Sequence, residues 1–280
     1  MYERVTSQSD NALPTAARPA GGGTPDGLPR VMVDGLPFVA TTVDALASHI
    51  CRQAAAGWGG WVVTPNVDIL RRWHYEQSFR ELVSEATIFT ADGLPIVWAS
   101  RLQGDPLPER LPGSDLFVSL FKLATQVGLR VALIGGNEGS ADKAVKFLTP
   151  VVEGKGETAR THCPPVGFEG VCAELNFMRF VLHEWQPHIV FIGLPCPRQE
   201  KLIRLLQPHC PNTWFLGVGV SFSFVAGDVQ RAPLWVQRVG LEWLHRLQQE
   251  PRRLAKRYLR DDLPFALGLM VRSWKRRLGE

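Results

Sequence analysis

Apolar and polar positions along this chain fall into blocks whose period switches between two and about three and a half. The first block, RVMVDGLPFVAT, is two short β-prone runs on either side of Asp34-Gly35, a dipeptide suited to a hairpin turn, and predicts two paired strands. In TVDALASHICRQAA, Val43, Leu46 and Ile50 fall on one helical face with Thr42 as N-cap. A repeated grammar follows. GWVVTPN reads as a strand that stops at Pro65-Asn66, VDILRRWHYEQSFRELVSEA as helix, TIFTADG as strand, and SDLFVSLFKLATQVG as a helix capped by Ser114 and ended by Gly128. LRVALIGGNEGSADKAVKFLTPVV and HIVFIGLPCPRQEKLIRLLQPH each give strand, turn and helix, and NTWFLGVGVSFSFVAG supplies a further strand. Strands as apolar as Val-Ala-Leu-Ile and Ile-Val-Phe-Ile, separated by helices, belong in a mostly parallel sheet covered on both faces. The expected fold is α/β: a doubly wound, mostly parallel sheet with helices on both faces, plus a helical C-terminal appendage.

Composition trims this picture at both ends. Residues 1–28 are rich in Gly, Pro, Ser, Thr and Ala with almost nothing to build a core, and are expected to be a disordered leader. The α/β domain is expected over 29–227 and the appendage over 228–280. No apolar run approaches the roughly 18 to 20 residues of a membrane span, and no basic segment leads into an apolar one at the N-terminus, so the expected location is the cytoplasm. Five scattered cysteines without a CxxC pair argue against a zinc site or a disulfide framework. The net charge of +4 is unevenly spread: residues 231–280 hold twelve Lys/Arg against five Asp/Glu. That excess points to an anionic partner such as lipid, nucleic acid or a phosphorylated substrate, with a merely solvated basic surface as the equal alternative.

In a doubly wound sheet, ligands bind outside the carboxyl ends of the strands. Five predicted strand ends carry special residues: Thr64-Pro65-Asn66, Asp92-Gly93, Gly135-Gly136-Asn137, Gly193 through Glu200, and Gly217 through Gly219. Asp92 has two readings. It can cap the turn into GLPIVW, or, at the ligand edge, serve as a base that takes a proton from an attacking hydroxyl. Thr64 and Asn66 beside it suit a polyhydroxylated ligand. Gly135 and Gly136 open a helix whose first turn offers N–H groups to a phosphate or sugar hydroxyl, or they serve only a tight turn; GGNEG is neither a dinucleotide nor a P-loop fingerprint. Gln199 can hydrogen-bond a uracil edge or a sugar, whereas Glu200 reads as a structural acid near a helix start. The histidines show no HExxH spacing, and no GxSxG elbow is present, so they read as surface or packing residues.

At the C-terminal end, Leu241, Leu244 and Leu247, with Trp243 between them, form an apolar stripe at helical spacing. Arg246, Arg252, Arg253, Lys256, Arg257 and Arg260 supply cations. Such a helix can lie in a bilayer interface against anionic headgroups, or pack on its own domain with its charges in water. No nucleic-acid-binding fold or aromatic RNP-like strand accompanies it, so nucleic acid is not the expected partner.

Taken in order, GLPF, TPN, ADGLPIVW with RLPGSDL, IGG, FIGLPCPRQE, GVGVSF and RAPLWVQRVGLEWLHRLQQEPRRLAKRY make the chain similar to the WecG/TagA/CpsF family of bacterial glycosyltransferases, from about Val31 to Tyr258. One such motif is weak; seven in order are strong. The resemblance implies transfer of a sugar from a UDP-sugar donor to a polyprenyl-diphosphate-linked sugar acceptor, in cell-surface polysaccharide or exopolysaccharide synthesis, with no cofactor and no metal. It makes Asp92 the general base of an inverting transfer with Thr64 and Asn66 beside it. Gly135, Gly136 and Gln199 would line the nucleotide-sugar pocket. Arg246 and Arg253 would meet the donor diphosphate, and the appendage would close over the site and touch an anionic membrane surface on its cytoplasmic side. Where many relatives have Gly-x-Phe-Asp-Phe this chain has GVGVSFSF, with Ser223 in place of the acid. That departure leaves open a non-catalytic, nucleotide-sugar-binding regulatory module.

Overall fold

The computed structural model describes residues 27–149, 157–238 and 240–279. The expected leader therefore lies, as far as residue 26, outside the described residues. The strands β1 Arg30–Val33, β2 Leu36–Val39, β3 Gly60–Val63, β4 Ile88–Phe89, β5 Val131–Gly135, β6 Ala159–His162, β7 Ile189–Gly193 and β8 Trp214–Gly217 form one sheet in the order β1-β2-β4-β3-β8-β7-β5-β6. Asp34 and Gly35, both at positive φ, turn β1 antiparallel onto β2, and every other pair is parallel. The fold is the expected doubly wound α/β sheet.

The absence of polar alternation in the central strands follows from double coverage. Trp61 and Val63, Ala132 and Ile134, Val190 and Ile192 enter one apolar layer, while the residues between them, Val62, Leu133 and Phe191, enter the other. The first layer is closed by helices Val67–Tyr75, Leu94–Leu102 and Arg198–Leu206. The second is closed by Val43–Ala55, which Thr42 caps by accepting from the Ala45 N–H at 3.3 Å, by Gly113–Gln126 and by the short helix Ser221–Val225.

Several local expectations are corrected. The helix expected to be capped by Ser114 starts at Gly113 with Pro112 at the cap and no side-chain cap bond, so Ser114 lies within its first turn. The long helix after Asn66 breaks at Glu76 into Val67–Tyr75 and Gln77–Leu82. Helix Leu94–Leu102, strand β6 and helix Cys172–Trp185 were not anticipated. GLPIVWASRL hides its helix because its apolar residues do not form one narrow stripe, and ARTH in β6 is an edge segment with half-exposed polar residues.

The C-terminal segment comprises helices Leu234–Arg238, Glu242–Gln249 and Pro251–Ala255, then a π-helical stretch Lys256–Asp262 that runs into Leu263–Leu278. One face of the last helix joins the first apolar layer through Phe265 and Leu269. Arg272 grips Asp34 with two hydrogen bonds, 2.7 and 3.1 Å, and His74 meets the same carboxylate at 2.7 Å, so the hairpin turn anchors the far end of the chain. Asp262 is buried between Arg71 and Arg257 at 3.5 and 3.7 Å; burial first, then the nearby Asp68, raises its carboxyl to about 6. On the opposite face Leu263, Leu267, Val271, Trp274 and Leu278 are exposed. Among the described residues no helix is long and apolar enough to cross a membrane.

Candidate active site

The parallel strands end on one edge, and main-chain bonds there bring distant segments together. The Thr90 N–H donates to the Val63 carbonyl (3.0 Å), the Asp92 N–H to Pro65 (3.0 Å) and the Leu111 N–H to Ala91 (2.8 Å). Thr64-Pro65-Asn66 and Asp92 are thereby neighbours, as the sequence suggested. Asp92 is half-buried, two residues before helix Leu94–Leu102. Its carboxyl is raised from 3.8 to about 6, chiefly by burial; Arg110 opposes the shift, Glu242 and Asp115 add to it, and Arg231 opposes it again. A carboxylate poised so close to neutrality suits general-base work.

Its two predicted companions also have structural duties. The Thr64 hydroxyl is buried and donates to the Gly217 carbonyl at 3.2 Å, tying the end of β3 to the end of β8. Asn66 caps helix Val67–Tyr75, its Oδ1 accepting from the Ile69 N–H at 3.1 Å, which leaves the amide nitrogen outside the cap. Asn66→Ala is expected to lose about 1 kcal/mol in urea denaturation through the missing cap, whereas Asn66→Asp, which keeps the acceptor, stays near wild type.

The second half of the edge lies across β8 and β7 at β5. Four inter-strand steps separate β4 from β5, about 19 Å, a span for an extended ligand. Gly135 and Gly136 are both at positive φ, and a Cβ at Gly136 would come within 2.9 Å of the Phe222 ring; one at Gly193 would come within 2.5 Å. These glycines let the backbone close over Phe222, so packing requires them whether or not a ligand does. Beyond them the Asn137 amide donates to the Ser223 hydroxyl at 3.3 Å. Gln199 is buried: its Oε1 accepts from the Gly219 N–H at 3.0 Å and its Nε2 donates to Glu200 at 2.9 Å, so its amide shapes the β8 turn from beneath. Glu200 is buried too, and burial raises its pKa. The Arg246 guanidinium lies 5.9 Å from the centroid of the Phe224 ring, next to Ser223. Arg253 belongs to helix Pro251–Ala255, and its side chain lies outside the described residues.

Nothing in the sequence singles out the charged groups that act electrostatically on Asp92. Arg110 Nη1 donates to Glu242 Oε2 at 2.9 Å and its Nη2 to Gln237 Oε1 at 3.5 Å. Arg231 Nη1 donates to Asp115, and its Nε lies 3.8 Å from Glu242 Oε1. All five stand inside the motifs RLPGSDL and RAPLWVQRVGLEW, but nothing in either stretch reveals that the two meet more than a hundred residues apart in the chain. Among the described residues no three His, Cys, Asp or Glu side chains are grouped to hold a metal ion.

The family model described as "Glycosyl transferase WecG/TagA/CpsF family" matches residues 31–279. The chain belongs to this family. It is 28% identical over 225 residues, 79% of its length and 84% of the relative's, to a protein of Bacillus spizizenii named N-acetylglucosaminyldiphosphoundecaprenol N-acetyl-beta-D-mannosaminyltransferase. Proteins with the same name from Bacillus subtilis (27% identical; 78% and 83% of the two chains) and Staphylococcus aureus strain MW2 (28%; 70% and 74%) are similar to it as well. As a family member the protein is a glycosyltransferase, and the match runs through the C-terminal helices, including the one that carries Glu242, as well as through the sheet.

Proposed function

We propose that this protein is an inverting glycosyltransferase that moves a sugar from a UDP-sugar donor to a polyprenyl-diphosphate-linked acceptor at the inner face of the membrane, in cell-surface polysaccharide or exopolysaccharide synthesis. The observation that carries the proposal is Asp92: a half-buried carboxylate raised to about 6 at the end of β4, beside Arg110 and Arg231, on the edge where this fold binds ligands. The donor runs along that edge, its nucleotide toward Gly135, Gly136 and Asn137 and its anomeric carbon toward Asp92. Asp92 removes the proton from the acceptor hydroxyl as that oxygen bonds to the anomeric carbon from the face opposite the diphosphate. The anomeric carbon–oxygen bond to the β-phosphate breaks, and UDP departs with the electron pair. To Arg246, whose guanidinium lies by the Phe224 ring next to Ser223, and, on the family resemblance alone, to Arg253 falls the role of balancing the charge of the leaving group. The relatives' names make N-acetylmannosamine as donor sugar and N-acetylglucosaminyl-diphosphate lipid as acceptor the first pair to test. Purified protein is incubated with a panel of UDP-sugars and that acceptor, and products are read by mass spectrometry. No transfer or donor hydrolysis with any UDP-sugar would refute the proposal.

Membrane contact is assigned to the last helix. Its exposed stripe, Leu263, Leu267, Val271, Trp274 and Leu278, is joined in the last turn by Lys275, Arg276 and Arg277, the pairing of apolar face and cations that favours an anionic interface. The double substitution Leu267→Glu/Val271→Glu removes two side chains whose burial contributes about 1.5–3 kcal/mol each, so flotation with anionic vesicles is expected to fall at least about tenfold. Unchanged flotation would place the membrane-binding face elsewhere.

A further inference from the structure

The charges that act on Asp92 form an alternating chain contributed by four segments: Asp115 from helix Gly113–Gln126, Arg231 from the linker after Ser221–Val225, Glu242 from the first turn of helix Glu242–Gln249, and Arg110 from the loop after Leu94–Leu102, which the Leu111 N–H ties to the Ala91 carbonyl at 2.8 Å. Glu242 is the link between the two cations. One of its oxygens holds Arg110 at 2.9 Å, and the other faces Arg231 at 3.8 Å. Arg110 is braced further by Gln237, whose own amide nitrogen is fixed on the Ala232 carbonyl at 2.7 Å. Without Glu242, Arg231 would keep its bond to Asp115 and Arg110 its 3.5 Å bond to Gln237, but the charge Glu242 compensates would act on Asp92 and hold it as a more strongly paired, less basic carboxylate. With Glu242 in place, part of their charge is already compensated, and a third carboxylate stands within electrostatic reach of Asp92.

From this geometry we propose that Glu242 is a positioning residue for the transfer reaction: it draws Arg110 and Arg231 off Asp92, fixes their orientation and keeps Asp92 basic. This rests on Asp92 being the base, and it goes beyond that reading in making base strength depend on the C-terminal helices. The two cations and Asp115, Glu242 and Asp92 are the charged groups that face one another here. Their formal sum with all five ionised is one negative charge, so removing the charge of Glu242 brings the cluster to neutrality and makes it less repulsive to an ionised Asp92. A C-terminal segment lifted away from the sheet would take Glu242 and Arg231 with it, leaving Arg110 to pair with Asp92.

The test is a carbon-13 NMR titration of the Asp92 carboxyl in the full chain, assigned by difference from Asp92→Asn, in wild type and Glu242→Gln. The glutamine keeps an acceptor for Arg110 but removes the charge. The expected result is a downward move of the Asp92 midpoint by about half a pH unit or more. The acid limb of kcat/KM should move with it, and the plateau rate should fall because the base is weaker. Glu242→Asp, which pulls the charge back by one methylene, should move the midpoint in the same direction by less and serves if the glutamine variant does not fold. An Asp92 midpoint that stays put in a folded variant overturns the proposal. The base assignment fails separately: Asp92→Asn would then turn over normally whatever the titration shows, because the NMR signal reports the electrostatic link without requiring turnover.

Discussion

Replacing Asp92 with asparagine is expected to lower kcat by about a hundredfold to ten-thousandfold, the usual contribution of a positioned general base, without unfolding the protein. The substitution keeps the shape and the main-chain bond to Pro65 while deleting the proton acceptor. Wild-type kcat/KM should also fall about tenfold for each pH unit below about 6, as the base becomes protonated, and that limb should vanish from the residual activity of the variant. The effect on stability has the opposite sign. Because folding raises the carboxyl from 3.8 to about 6, the native state holds this proton more tightly than the unfolded chain does. The stabilisation from that difference is complete below the ordinary carboxylate range and is lost as pH rises through about 6. At pH 7.5 an ionised Asp92 is therefore a local cost, and Asp92→Asn should melt at the wild-type temperature or above it. Loss of activity together with loss of fold would mark Asp92 as a structural acid, the plainer of its two sequence readings.

The second large effect concerns the floor beneath the Gly135-Gly136-Asn137 turn. Phe222 is fully buried, its ring 5.2 Å from that of Phe117, and it fills the space that Gly136 and Gly193 leave open above it. Phe222→Ala is expected to destabilise the protein by about 3–5 kcal/mol in urea denaturation, because the lost burial is compounded by a cavity that the rigid strand ends cannot close. In buffer without urea, where the remaining fold persists, donor affinity should weaken as well, since the Gly135-Gly136-Asn137 turn would lose the surface it rests on. A variant with full stability would show that this turn is held by its main-chain bond to Gly193 alone. Phe222→Leu, which refills most of the space, should recover much of the loss.

Not every part of this molecule was equally legible. β5, β7 and β8 could be read directly because a strand covered on both faces is apolar at every position, and helix Val43–Ala55 because it buries one stripe and exposes the other. Helix Leu94–Leu102 escaped notice because it is packed between the sheet and the last helix, and that removes its polar stripe. Ser114 has the residue type of a cap, but the chain enters the helix two residues earlier, with Pro112 at the cap. The stripe of Leu241, Trp243 and Leu244 is legible from its spacing and stays exposed, whereas the last helix, Leu263–Leu278, is apolar on two sides: one faces the core through Phe265 and Leu269, and the other faces outward.

By itself the sequence determined the parallel α/β sheet, the position of Asp92 at a strand end and the family, because each of these is written in local period, local turn chemistry or ordered short motifs. Only the tertiary structure decided the surroundings of that carboxylate. Arg110 meets Glu242, and Arg231 meets Asp115, across 132 and 116 residues of chain, and the burial that raises Asp92 comes from the same long-range packing. A side chain's type is local, but its dielectric surroundings and its charged neighbours depend on which distant segments fold against it, and no period in the sequence encodes that.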